Sequence, residues 1–251
     1  MIDTIFNHRS IRKFKTDVVE STKLDLILEA AARASNTGNM QAYSIVVTRD
    51  FEIREKLWEA HFKQDMVLEA PVHLTFCADF NRFSLWCEQR KADPGYNNFL
   101  SFLTGAIDAI IAAQNAAIAA ESLGLGVCYL GTATWMAGRM IEILDLPGLV
   151  VPVTALVIGY PDENPPLTDR LPVEGVVHFE KYRNYSPVDI DRIYTEKEAL
   201  ESTLELLKIN GKETLAQIFT HNRYKTADNR YFSGAFLDVL SKQGFMCNDV
   251  E

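Results

Sequence analysis

The sequence predicts a fold that mixes helices and strands, in one large domain or two small ones, and three observations predict it. From residue 21 to residue 159, segments with helical spacing alternate with short apolar runs bounded by turn residues. One segment, Phe102 to Leu123, is rich in Ala and Ile and apolar nearly all round, which a helix sustains only inside a core or a subunit interface. Beyond about residue 185 the chain turns polar and helical with few apolar residues for a core of its own, so it reads as an arm packed onto something else.

The elements follow in order. Ser21 or Thr22, with Asp25 after it, opens a helix whose Leu24, Ile27, Leu28 and Ala31 share one face, and the small polar run SNTGN stops it. Tyr43 to Thr48 predicts a strand, EIREKLWEA a surface helix, and Val72 to Ala78 a second, buried strand. Residues 80 to 100 read as loop. The apolar helix ends at Gly124, and Val127 to Leu130 is short enough for a strand. TWMAGRMIEILDL predicts an amphipathic helix closed by Pro147 and Gly148, and VPVTALVIGY another apolar strand. After a loop holding Pro161, Pro165, Pro166 and Pro172, VEGVVHF predicts a further strand. No internal repeat or low-complexity run is evident.

The chain has 251 residues, with 25 Lys and Arg against 34 Asp and Glu, a formal charge of −9 and 47% hydrophobic residues. A chain of that length buries roughly three-quarters of its unfolded surface, so it needs no covalent staple. The acidic balance opposes duplex nucleic acid, whose binding needs clustered Lys and Arg to displace counterions. Any bound anion must therefore be held by a local pocket. Cys77, Cys87, Cys128 and Cys247 stand 10, 41 and 119 residues apart with no C-x-x-C, which opposes a disulfide framework or a zinc site. The opening MIDTIFNHRSIRKF lacks the apolar region of a signal peptide, so the expected compartment is the cytoplasm. Asp108, Gln114 and Asn115 interrupt the most apolar stretch, Ala106 to Ala120, so no membrane span is expected.

Three runs carry candidate binding groups. In His8-Arg9-Ser10-Ile11-Arg12, two arginines, a hydroxyl and an imidazole can converge on a small dianion, since the planar guanidinium gives parallel charge-assisted hydrogen bonds. Taken alone, the run reads more readily as a solvated basic stretch. Ser35 to Gln41 after the first long helix, and Leu123 to Gly131 after the central one, combine small polar residues and glycines that let main chain approach a planar ligand. A helix-ending loop and a packing constraint are the plainer alternatives. No G-x-G-x-x-G follows the first strand and no G-x-x-x-x-G-K-[ST] occurs, which disfavours Rossmann and P-loop readings.

Together these runs make the chain resemble the FMN-dependent nitroreductases, particularly the branch of the major oxygen-insensitive nitroreductase and flavin reductase P. The resemblance is carried by HRSIRKF (8–14), SNTGNMQ (35–41), FCADFNR (76–82), AAESLGLG with Tyr129 and Gly131 (119–131), GYPDENP (159–165) and RLPVEGVVHFEKY (170–182), all in family order. It covers most of residues 1–182, with SKQGF the best fragment of the tail. It implies an α+β, nitroreductase-like fold with a central mixed or antiparallel sheet flanked by helices, in a domain-exchanged homodimer. An FMN-binding core over 1–184 and a helical arm over 185–251 that packs on the partner subunit are the expected parts. It also implies ping-pong hydride transfer from NADPH or NADH through FMN to small-molecule acceptors: nitroaromatics, quinones or free flavin.

Residue by residue, the resemblance implies that His8, Arg9, Ser10 and Arg12 grip the phosphate and ribityl chain, and that Asn36 takes a position where relatives use serine on the flavin. Gln64 matches a glutamine at the flavin edge, and Tyr129, Leu130, Gly131 and Thr132 match the segment lying along the isoalloxazine. Arg170 matches an arginine that closes on the phosphate, and Arg230 one near the substrate mouth. No catalytic acid, base or nucleophile is expected, because the hydride chemistry belongs to the cofactor, and no metal is expected. Two departures stand out. Thr168 and Asp169 occupy the place of the family's lysine, and Gly131-Thr132 that of a frequent Gly-Gly. The missing charge favours weaker FMN retention, and a flavin store or redox-responsive binding protein is the rival reading, with a different reductive reaction such as dehalogenation a third.

Overall fold

The computed structural model of the chain describes residues 2–248. The fold is α+β: a sheet of four antiparallel strands in the order β1-β2-β4-β3, with helices on both faces. The strands are β1 Tyr43–Thr48, β2 Val72–Asp79, β3 Gly126–Leu130 and β4 Val150–Gly159. The two central strands are buried on both faces, which is why they read as continuous apolar runs rather than alternating ones. Strand periodicity sorts the side chains. Val72, Leu74, Phe76 and Ala78 of β2 face one cluster with Ile27 and Ala31, whereas Cys128, Leu130, Ala155 and Val157 join a second with Leu57, Val67 and Met140.

The first cluster is covered by α2 Ser21–Ala32 and α6 Phe99–Ser122. Glu20 occupies the N-cap of α2 without a side-chain bond, so the expected Ser21 or Thr22 cap is replaced by one main-chain position upstream. The central helix starts earlier than its apolar run, because Asn98 Oδ1 accepts the Ser101 N–H at 3.0 Å and caps it. Its buried face is almost all alanine, and at Gly105 a Cβ would lie 2.7 Å from the Ala42 carbonyl oxygen. Small residues there let helix and sheet approach closely. By length and composition α6 could cross a membrane, yet half of its most apolar window is buried within this chain.

The second face carries α3 Phe51–Ala60, the short α4 Met66–Glu69, and α7 Thr132–Trp135 with α8 Ala137–Ile143. The single helix expected over TWMAGRMIEILDL is thus two, broken where Met136 leaves helical geometry (φ −115°, ψ 25°). Residues 80 to 100 are not all loop. Helix α5, Asn81–Gln89, follows β2, with Asp79 Oδ1 accepting the Arg82 N–H at 3.2 Å and Ser84 and Cys87 buried. The strand expected at VEGVVHF does not form. Val173–Gly175 is a 3₁₀ turn, and Val173, Val176, Val177 and Phe179 are exposed with no strand partner.

The described chain divides into two compact units, residues 2–166 with 233–248, and residues 167–232. The boundary expected at 184–185 falls inside the second unit, and the chain's end returns to the first, where Leu240 and Phe245 are fully buried. Within the second unit α9 Pro187–Ala199 opens on a capping box between Ser186 and Asp189, followed by α10 Glu201–Asn210 and α11 Leu215–Ile218. The last helix, α12, spans Thr226–Lys242, and a short α1, Ile2–Phe6, opens the chain.

Candidate active site

The HRSIRKF run is built into the fold rather than solvated. After α1 it lies beside β3, with Ser10 bridged in parallel to Val127 and the Ile11 N–H donating to the Val127 carbonyl at 2.9 Å. Ile11 and Phe14 are buried, so the intervening polar residues face outward. On its other side the run meets the GYPDENP loop: Lys15 N–H donates to the Tyr160 carbonyl at 2.9 Å, and Glu163 Oε1 accepts from the Arg12 and Lys13 main chain. His8 Nδ1 sits 2.7 Å from Glu121 Oε1, and Arg9 Nη1 donates to Asn164 Oδ1 at 2.7 Å. The Nε of Arg9 is buried without a hydrogen-bond partner. Among the described residues the Ser10 hydroxyl and the Arg12 guanidinium form no hydrogen bond. A cavity of about 420 Å³ opens here, lined by Asn7, Arg9, Glu121, Gly126, Glu163 and Asn164 among others.

The glycines near β3 divide between the two roles the sequence left open. At Gly126 a Cβ would lie 2.8 Å from Ile11 Cγ1, so this glycine admits the packing of Ile11. At Gly131 a Cβ would meet nothing within 4 Å, and that main chain is open to a ligand. Between them the Leu130 side chain is committed to the core, which leaves only its backbone for binding. Tyr129 is half-buried, its hydroxyl on Gln114 Oε1 at 3.3 Å, and burial pushes its phenol pKa up, with Glu121 adding to the effect.

The structure brings Gln64 and Thr132 together, from segments 68 residues apart. Gln64 Nε2 donates to the His61 carbonyl at 3.0 Å and lies 3.5 Å from Thr132 Oγ1, which itself sits 2.7 Å from His61 Nδ1. His61 is fully buried, and burial lowers its pKa to about 4. Nothing in its local pattern marks it, because its partners come from elsewhere in the chain.

Asn36 keeps to its own loop: Nδ2 donates to the Ala34 carbonyl at 3.3 Å, and Oδ1 accepts the Gln41 N–H at 3.2 Å. The loop turns through positive φ at Gly38, Asn39 and Gln41. Buried Asp108 anchors it, accepting from Thr37 N–H at 2.9 Å, Thr37 Oγ1 at 3.1 Å and Ala42 N–H at 3.4 Å. Asp108 was visible in the sequence only as a charge interrupting an apolar helix. It lies six residues before Gln114 on α6, roughly 9 Å along the axis, so one helix supports both this loop and Tyr129. Arg170 and Arg230 belong to the second unit. Both are exposed, and Arg170 Nη1 donates to the carbonyls of Thr168 at 3.2 Å and Asp169 at 2.9 Å. The Asp169 carboxylate pairs with Lys197 Nζ at 2.6 Å.

A model of the Nitroreductase family matches residues 5–160, the stretch that holds the sheet, the central helix and the HRSIRKF run. The chain belongs to the Nitroreductase family. Among nitroreductase-family relatives, it is 35% identical over 248 residues to the Bacillus subtilis FMN reductase [NAD(P)H], covering 98% of this chain and 97% of that one. It is also 35% identical over 246 residues to the oxygen-insensitive NADPH nitroreductase of Salmonella typhimurium, with 97% of each covered. A crystal structure of a protein from Bacteroides fragilis NCTC 9343 superimposes with a TM-score of 0.96 at 49% identity, over 97% of this chain and 99% of that one. The matches to these two relatives and to the solved structure extend over both compact units.

Proposed function

We propose that the chain is an FMN-dependent oxidoreductase that takes hydride from NADPH, or less readily NADH, and passes it to nitroaromatic, quinone or flavin acceptors. Arg9 carries the reading: its Nη1 is fixed on Asn164 while its buried Nε–H has no acceptor, beside the free hydroxyl of Ser10. A buried donor left without an acceptor costs about 1–3 kcal/mol, and an oxygen of a phosphate monoester supplies the acceptor. The names of the relatives, an FMN reductase and an NADPH nitroreductase, support the same cofactors.

When bound, FMN supplies the hydride chemistry. The chain's residues would hold and orient it. His8, Arg9, Ser10, Arg12 and Arg170 would grip the phosphate and ribityl chain, Asn36 and Gln64 would reach the ring system, and the main chain of Tyr129, Leu130, Gly131 and Thr132 would lie along it. Arg230 would meet the nicotinamide cofactor or the acceptor. No side chain is assigned an acid, base or nucleophilic role.

The same reading includes a homodimer in the cytoplasm. Leu100, Leu103, Ile107, Ile110 and Ile111 leave one stripe of α6 exposed, and the unit of residues 167–232 buries few apolar side chains, Ile193, Leu215 and Ile218 chief among them. A second copy covering both faces accounts for them.

The visible spectrum of the purified protein tests the function. Noncovalent FMN that bleaches rapidly under anaerobic NADPH is the expected result. Flavin that fails to bleach makes the protein a flavin store, and FAD, or no flavin after reconstitution, overturns the cofactor assignment.

A further inference from the structure

His61 joins two of the candidate segments and is itself backed by a buried chain of polar groups. Its Nδ1 lies 2.7 Å from Thr132 Oγ1 and its carbonyl accepts from Gln64 at 3.0 Å. On the far side, its Nε2 sits 3.1 Å from His73 Nε2, and His73 Nδ1 is 3.4 Å from Thr75 Oγ1. His61, His73 and Thr75 are fully buried, whereas Gln64 and Thr132 are half-buried at the edge of the site.

Two imidazoles in a core carry a desolvation cost that a packed apolar pair would not. Burial keeps both rings neutral, pushing His61 down to about 4 and His73 well below its ordinary range. They do not form a metal site, since among the described residues no group of three His, Cys, Asp or Glu is placed to hold one. A neutral ring has one donor and one acceptor, so the contact between the two Nε2 atoms takes a single hydrogen. If His61 Nε2–H supplies it, the bare His61 Nδ1 accepts the hydroxyl hydrogen of Thr132; if His73 Nε2–H supplies it, His61 Nδ1–H donates to Thr132 Oγ1. In both arrangements His61 bonds Thr132 on one side and His73 on the other. The chain ends at buried Thr75, and among the described residues no hydrogen bond leads on from its hydroxyl, so the chain orients groups.

We propose that His61 is a positioning residue: through Thr132 and Gln64 it sets the Gly131–Thr132 main chain and the Gln64 amide relative to each other, with His73 holding the far side of its ring. The consequence for FMN rests on the function proposed above. The geometry between the two segments does not. A threonine at 132 gives this segment an anchor in the core that a glycine could not provide.

Two substitutions separate the contacts, because an asparagine amide falls near the Nδ1 position and a glutamine amide near Nε2. His61→Asn keeps the partner of Thr132 and releases His73, while His61→Gln does the reverse. Two quantities are read: the Gly131 and Thr132 amide shifts in two-dimensional ¹H–¹⁵N NMR of the ligand-free protein, and the Kd for FMN from flavin fluorescence quenching. His61→Asn should leave the amides in place and FMN affinity within about threefold, whereas His61→Gln should move both amides and weaken FMN by about tenfold or more. Because a core variant can fail to fold, Thr132→Val and Thr132→Ser repeat the test from the rim. Valine should reproduce the glutamine result and serine should rescue it. Variants that all match the parent, or asparagine and glutamine variants equally impaired while folded, overturn the proposal. Amides that respond in a parent unable to bind FMN would overturn the flavin reading and leave the positioning role standing.

Discussion

Arg9 Nη1 donates to Asn164 Oδ1 at 2.7 Å, joining residues 155 apart and holding one end of the guanidinium so that the buried Nε stays without an acceptor. The arrangement is pre-organised for a ligand that brings its own oxygen. Arg9→Ala should weaken FMN binding by roughly 2–5 kcal/mol, the scale of a broken buried charge pair, against about 1 kcal/mol for Ser10→Ala, one neutral hydrogen bond. Titration of apoprotein with FMN, followed by fluorescence quenching, measures both. Native affinity in Arg9→Ala would show that the run holds no phosphate.

Asp108 ties the Asn36 loop to α6 by accepting three hydrogen bonds, at 2.9, 3.1 and 3.4 Å, while fully buried. Asp108→Ala strands the Thr37 and Ala42 donors and should cost about 2–3 kcal/mol in urea unfolding. An unchanged midpoint would mean that water replaces the carboxylate at no cost.

His61, held at about 4 by burial, titrates below its ordinary value near 6.5. As pH falls through 6.5 the unfolded chain takes up this proton first, so the stability contributed by the neutral ring is complete above that pH and lost progressively towards pH 4. The loss from this group is about 3 kcal/mol by pH 4, and His73, shifted in the same direction, adds to it. Urea unfolding at pH 7.5, 6, 5 and 4 (about one pH unit apart, the interval over which a single such proton contributes about 1.4 kcal/mol) should show the decline. His61→Asn should make it shallower, leaving the part that His73 contributes.

Ile107 and Ile110 stand exposed one turn apart on the apolar stripe of α6. Glutamate at both positions should convert a dimer to monomer in sedimentation velocity, since like charges would be buried against a symmetry-related copy. A parent that sediments as a monomer would remove the homodimer from the reading.

At Gly105 the helix passes so near the sheet that a Cβ would lie 2.7 Å from the Ala42 carbonyl oxygen and 3.1 Å from Ala78 Cβ. Gly105→Ala should therefore destabilise by about 1–3 kcal/mol despite the better helix propensity of alanine, because two backbones must separate. Thermal unfolding decides the sign.

The amino-acid sequence by itself determined the strands, the central helix and the identity of the runs that gather at the candidate site. Burial on both faces writes itself locally as the continuous apolar runs of β2 and β4, and a helix pressed onto a sheet writes itself as the alanines of α6. Tertiary structure decided the rest. Helix α5 was hard to read because it is short and buries only Ser84 and Cys87 while its Leu85 and Trp86 stay exposed, and VEGVVHF, apolar enough for a strand, found no neighbour to pair with. Whether HRSIR was solvated or docked depended on Val127 and Asn164, more than a hundred residues away, and Asp108 and His61 acquired their roles from partners in other segments. Periodicity records how much of a side chain is buried, but a hydrogen bond between distant residues leaves no local pattern, so only the folded chain shows which polar groups meet.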